Sequence, residues 1–327
     1  MRAASDDHSV EGFGRPGAGR RRGRRARRWP RSAPAVLMLA ARSPATALNL
    51  TAATRGVAIA RSVPYATGVR RTLDVYRPRD ARAAPVIVFF YGGSWQSGSK
   101  SIYKFVGSAL ARRGYVVVIP DYRVYPEVVY PGFLEDGALA LRWTRDNAER
   151  FGGNPNILFL MGHSAGAYIA AMLALDGRWL EHVGLLPNRD IAGLVGISGP
   201  YDFLPLRDQT LKTIFGSAND ATTQPIAHVA LGAPSALLLT GLKDGTVDPG
   251  NSARLAVRLR GVGVEATAMT YSWVGHLGIV GAFAAPLRLL APVLRDVDRF
   301  VSGVSTEALP VTDSTVTGAS TVTKALQ

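Results

Sequence analysis

The chain has 327 residues, no cysteine, 47% hydrophobic residues, 35 glycines and 20 prolines. Disulfides, a thiolate nucleophile and cysteine-bound metal are therefore excluded, and the apolar content is enough for a large core. The formal charge of +14 is uneven: in residues 1–31 ten arginines stand against only Asp6, Asp7 and Glu11, half of the excess, so the remainder is only mildly basic and is not expected to bind nucleic acid.

Residues 1–37 are expected to be a disordered arm, because Arg20–Arg28 has no apolar periodicity and repels itself. Three readings compete for it. It is a nucleic-acid or membrane-surface arm, or the n-region of an export signal, or an untranslated stretch ahead of a start at Met38. The export reading takes Ala35–Ala41 as the apolar run and Ala45-Thr46-Ala47 as the cleavage site. The expected compartment is the cytoplasm, with export as the alternative. No apolar run approaches the ~20 residues of a transmembrane helix.

Residues 38–69 lead into a catalytic domain over 70–300. Arg71–Tyr76 reads as its first strand. Val86–Phe90, Tyr115–Pro120 and Asn156–Met161 are continuous apolar runs, as expected of strands buried on both faces. Ile191–Ile197, Ser235–Thr240 and Glu265–Tyr271 are further strands. Helical patterns fall at Ile102–Arg113, Glu135–Asn147, Ala165–Ala174, Ser252–Arg260 and Ala284–Phe300. The alternation implies an α/β fold with a mostly parallel central sheet and helices on both faces. Residues 176–189 and 200–230 break the alternation and are expected to form a small cap. Residues 301–327 read as a disordered tail.

The chemistry centres on Gly162-His163-Ser164-Ala165-Gly166. This G-x-S-x-G pattern lies between a buried strand and an Ala-rich helix, the context that exposes a serine hydroxyl on a sharp turn. A serine needs a base to take its proton and an acid to orient that base. His276, in a Gly-flanked loop after the strand Glu265–Tyr271, fits the base; His228 falls in the cap region. Asp244 follows the strand Ser235–Thr240 and fits the acid. Asp248, beside Pro249, reads as the N-cap of the next helix, and Asp202 as a turn former. Tyr91-Gly92-Gly93-Ser94-Trp95 follows an early strand, and its glycines let amides face a carbonyl oxygen. The expected oxyanion donors are the amides of Gly93, Ser94 and Ala165. Trp95 and Tyr91 are candidate pocket walls. The histidines lack metal-ligand spacing, so no metal or cofactor is expected.

Together with Asp121-Tyr122-Arg123, Tyr125-Pro126-Glu127 and Phe151–Asn156, these motifs resemble the carboxylesterase and hormone-sensitive-lipase-like branch of the α/β hydrolases over roughly residues 70–300. Glu135-Asp136 belongs to the same pattern and is expected to be structural. Two positions depart from the branch: Tyr91 stands where its oxyanion loop usually begins with His, and His163 where lipase-like members commonly have Asp. The resemblance implies an α/β-hydrolase fold and hydrolysis of a small-molecule carboxylic ester through an acyl-enzyme on a Ser-Asp-His triad. The alternatives are an arylformamidase-like amide hydrolase with the same triad, and a non-catalytic α/β-hydrolase-like binding protein.

Overall fold

The computed structural model describes residues 44–217 and 219–308. The Arg-rich arm, the proposed start at Met38 and most of the expected tail lie outside the described residues. Eight strands form one sheet in the order β1-β2-β4-β3-β5-β6-β7-β8. They are β1 (Val57–Pro64), β2 (Thr72–Pro78), β3 (Ala84–Phe90), β4 (Val116–Pro120), β5 (Gly153–His163), β6 (Gly193–Ile197), β7 (Ser235–Gly241) and β8 (Ala266–Tyr271). Pairing from β4 through β8 is parallel, while β1 and β2 join antiparallel at one edge.

In chain order the first helices are α1 (Pro44–Leu50), α2 (Lys104–Ala111), α3 (Gly132–Asn147) and α4 (Ala165–Leu175). After the short α5 (Gly177–Glu181), α6 (Pro187–Asp190) and α7 (Gln209–Phe215) come α8 (Gly250–Arg260), α9 (His276–Gly281) and α10 (Val293–Ala308). None of the described helices is long and apolar enough to cross a membrane. Successive side chains of a strand point to opposite faces. Phe89 accordingly meets Tyr103 at the start of α2, and Phe90 lies against α3 near Gly137. Helices thus cover both faces, which is why β3 to β6 carry continuous apolar runs rather than alternation.

Three expectations need correction. β1 falls in the stretch read as lead-in. Its register shifts between Ala60 and Val63, so the period-two pattern that marks a strand is lost. The closing helix begins at Val293, not Ala284, because Pro286 and Pro292 forbid one continuous helix, and it runs on to Ala308, inside the expected tail. Of the two stretches expected to form a cap, 176–189 folds into α5 and α6 and lines no part of the site cleft.

Asp136 is structural, as its motif implied. Its fully buried carboxylate takes Arg71 Nε at 2.9 Å and the Nε and Nη2 of Arg123, each at 2.9 Å, and also accepts the Arg123 amide. The cluster ties the loop after β4 to the first turn of α3 and to the start of β2. We predict that Asp136→Asn lowers stability by about 3 kcal/mol, because two guanidinium groups lose a buried counter-charge. Urea midpoints of the two proteins measure this.

Candidate active site

The sheet reverses its winding order at β3. The chain passes from β3 to β4 on one side, and β5 then pairs on the other. Loops leaving the carboxyl ends of β3 and β5 therefore lie side by side, the arrangement that opens a crevice in such sheets. Phe90 is in register with Gly162, so the 91–98 loop starts beside Ser164.

Ser164 has φ 56° and ψ −125°, a conformation that costs a non-glycine residue on the order of 1–3 kcal/mol. Its neighbours enforce it. A Cβ on Gly162 would run into the Gly166 backbone, and a Cβ on Gly166 into the carbonyls of Phe90 and Tyr91. The Ser164 amide donates to the Ile197 carbonyl at 2.9 Å. The Ser164 hydroxyl lies 2.9 Å from His276 Nε2, and His276 Nδ1 lies 2.8 Å from Asp244 Oδ2. A carboxylate only accepts, so Nδ1 carries the proton and Nε2 is free to accept from the serine. The other oxygen of Asp244 accepts the amides of Thr246 and Val247, both at 2.9 Å. Burial alone would raise this carboxyl, but the Val247 amide, the His276 ring and the Thr246 amide outweigh it and hold the pKa below the usual range.

The other candidates are engaged by other partners, although Asp202 and Asp248 line the same cleft as Ser164. Asp248 accepts the Gly250 amide at 3.0 Å at the start of α8 and pairs with Arg254. Asp202 pairs with the same arginine at 2.6 Å. His228 Nε2 donates to the Thr222 carbonyl at 2.7 Å.

The loop after β3 carries three residues in left-handed conformations: Gly93 (φ 147°), Ser94 (φ 53°) and Trp95 (φ 59°). It is anchored at both ends. Tyr122 donates its hydroxyl to the Tyr91 carbonyl at 2.6 Å, the Gln96 and Ser97 amides reach the Gly93 carbonyl, and Arg70 holds the Gly98 carbonyl at 2.8 Å. The amides of Gly93, Ser94 and Ala165 make no hydrogen bond among the described residues.

Ser164 lines a cleft of about 510 Å³. Ser94, Trp95 and Ala165 line it together with residues from the 200–211 loop and from the 246–254 segment. The Trp95 ring is part of this wall and is 96% buried, edge-on to Tyr168 and Phe215. Tyr91, expected as a second wall, does not reach the cleft. It is fully buried, its ring stacks between Tyr103 and Tyr122, and its hydroxyl meets Asp121 at 2.9 Å.

One neighbour of the triad was not singled out from the sequence as a site residue. His163 is buried, and its Nε2 lies 2.9 Å from the His276 carbonyl. A carbonyl only accepts, so Nε2 carries the proton. Burial, then the neighbouring His276, lower the His163 pKa to about 3. Nothing in the sequence pattern separates such a histidine from a packing residue.

A family model described as BD-FAE matches residues 73–259, more than half of the chain. The chain belongs to the BD-FAE family. Esterase LipC of Mycobacterium tuberculosis is 31% identical over 242 residues, which are 68% of this chain and 58% of that protein. Isoprenylcysteine alpha-carbonyl methylesterase ICME of Arabidopsis thaliana is 29% identical over 240 residues, 67% of this chain and 56% of that one. The chain thus spans somewhat under three-fifths of these relatives. Among solved structures, an inhibited esterase B from Lactobacillus rhamnosis has a TM-score of 0.68 at 19% identity, covering 84% of this chain and 95% of its own. Thermogutta terrifontis esterase 2 has a TM-score of 0.63 at 22% identity, covering 77% and 96%. At that identity the likeness establishes the α/β-hydrolase fold.

A pH dependence follows from His163. Unfolded, its imidazole takes a proton near the ordinary pKa of 6.5; folded, it does so only near 3. The unfolded state therefore binds the extra proton between those values, and stability falls as pH drops through that window. The limiting slope is about 1.4 kcal/mol per pH unit for one proton. His163→Gln is expected to lose stability less steeply between pH 6 and pH 4 by about that slope, as chemical denaturation at a series of pH values will show.

Proposed function

We propose that the protein hydrolyses small carboxylic esters through an acyl-enzyme. The observation that carries this reading is the unbroken hydrogen-bond chain from Ser164 through His276 to Asp244, opening on a cleft that Ser94 and Ala165 line, with the Gly93, Ser94 and Ala165 amides unbonded among the described residues. Relatives named as esterases and as a methylesterase support a carboxylic ester as the bond that is cleaved.

In this mechanism Ser164 Oγ attacks the ester carbonyl while His276 Nε2 takes its proton. The carbonyl oxygen becomes an oxyanion, held by the Ala165 amide at the start of α4 and by the Gly93 and Ser94 amides. Preorganised donors of this kind are worth most because they need no reorientation as charge develops. Asp244 stabilises the imidazolium through Oδ2 while its other oxygen stays fixed by the Thr246 and Val247 amides. The imidazolium protonates the departing alcohol. A water activated by the same nitrogen then releases the acid and frees Ser164. The cleft volume matches a small-molecule site.

Turnover of p-nitrophenyl acetate tests the proposal. Ser164→Ala is expected to lower kcat by about 10⁴-fold or more and to abolish labelling by a fluorophosphonate probe. Asp244→Asn, which favours the wrong imidazole tautomer, should lower kcat by about 10⁴-fold with KM little changed. Equal labelling of wild type and Ser164→Ala, or a folded wild type that neither labels nor turns over ester, sinks the reading.

A further inference from the structure

We propose that His163 is a positioning residue that holds the main chain of His276, so that the base is gripped at both ends by the nucleophile strand. The inference rests on the hydrolase reading of the site and adds a residue to it. Ser164 meets the side chain of His276, and the residue immediately before it meets the His276 carbonyl at 2.9 Å. The two imidazoles also touch, with ring centroids 4.8 Å apart and tilted by 42°.

His276 needs such a hold. It opens α9, a helix of six residues, too short to be stable by its own hydrogen bonds. One side of this turn is already fixed. The Lys243 amide donates to the Val274 carbonyl at 3.1 Å, and a Cβ on Gly275 would lie 2.7 Å from the Lys243 carbonyl oxygen. These contacts tie the segment before His276 to the Asp244 loop. The His163 bond ties His276 itself to β5, whose last residue is His163. A small rotation of the His276 peptide would lengthen both of its side-chain hydrogen bonds together.

A second observation argues against simple packing. The Nδ1 atom of His163 is buried and has no hydrogen-bond partner among the described residues. A Cβ placed on Gly92 would sit 3.0 Å from it and 2.9 Å from Ser164 Cβ, so that side of the ring faces backbone. Burying an unpaired acceptor is unfavourable, and an apolar side chain of similar volume would avoid it. What the imidazole provides, and an apolar residue cannot, is the Nε2 donor. Burial also keeps the ring neutral, so it adds no charge next to the imidazolium formed in turnover.

The test compares three variants of the full chain with p-nitrophenyl acetate. His163→Leu removes the donor. His163→Asn offers one only near the Nδ1 position, and His163→Gln offers one near Nε2. In H163L and H163N, kcat is expected to fall about 10- to 100-fold, the size of a small misplacement of a catalytic group, with KM within about twofold. The far-downfield proton resonance of the His276–Asp244 bond should shift or broaden in both. H163Q should recover the resonance and bring kcat to within about fivefold of wild type. Unchanged kcat and resonance in H163L overturns the proposal. If H163L does not fold, H163Q and H163N decide, and equal kcat in the two at matched melting temperatures also overturns it. Ester turnover surviving Ser164→Ala would instead overturn the hydrolase reading, in a protein whose His163 is intact.

Discussion

The carbonyls of Phe90 and Tyr91 lie so close to Gly166 that no side chain fits between them. This contact presses the first turn of α4 onto the end of β3, and much of the site follows from it. It fixes the distance between the serine turn and the 91–98 loop, because both are parts of one junction. The parallel register that sets Phe90 opposite Gly162 works to the same end. A group held within a fraction of an ångström must sit on rigid elements rather than on free loops. Here Ser164, the proposed nucleophile, and the amides beside it hang from two adjacent central strands. The proposed acid and base arrive from β7 and β8, whose ends are in register at Gly241 and Tyr271.

Charge is handled differently at the two aspartates of the 244–248 loop. Asp244 is buried, and two backbone amides and one imidazole satisfy it. Among the described residues no guanidinium pairs with it, so its field falls on His276. Asp248 is exposed and already paired with Arg254. An acid that must support an imidazolium cannot also be committed to an arginine. That physical difference, rather than position along the chain, separates the two roles.

Most of the sheet was legible because its strands are buried on both faces. Val86–Phe90 and Val116–Pro120 are unbroken apolar runs, and little else produces such runs at that spacing. The order of Gly93, Ser164, Asp244 and His276 was legible for a related reason, since each follows a strand end. The failures share a cause too. β1 is an edge strand with a register shift, so its pattern mixes two phases. The closing helix starts later than its apolar content suggests because Pro286 and Pro292 interrupt that stretch. Tyr91 is no wall, because its place in the sequence says nothing of which way its ring points. Which way a side chain points depends on partners distant in sequence, here Tyr103, Tyr122 and Asp121. His163 is the same problem at closer range, since its partner is a main-chain carbonyl 113 residues away.

The cleft divides along the same line between rigid and weakly held parts. On one side Trp95 is locked edge-on against Tyr168 and Phe215, rings that belong to the buried core. On the other, Arg254 joins Asp202 to Asp248 across two loops, and all three side chains are well exposed. Exposed ion pairs of that kind contribute only about 0–1 kcal/mol each. Beneath them, Asn251 accepts the Tyr201 and Asp202 amides, both at 2.8 Å, so the base of the 200–211 loop is better held than its rim. The atoms of the proposed triad therefore depend on strand ends packed into the core, where a substitution disturbs the whole sheet. The outer contacts to a substrate depend on side chains whose ties are weak, where substitution costs little stability. A fold partitioned in this way can change what it accepts without disturbing the atoms that react. Likeness to other members at about 30% identity accordingly speaks to the reaction far more than to the ester.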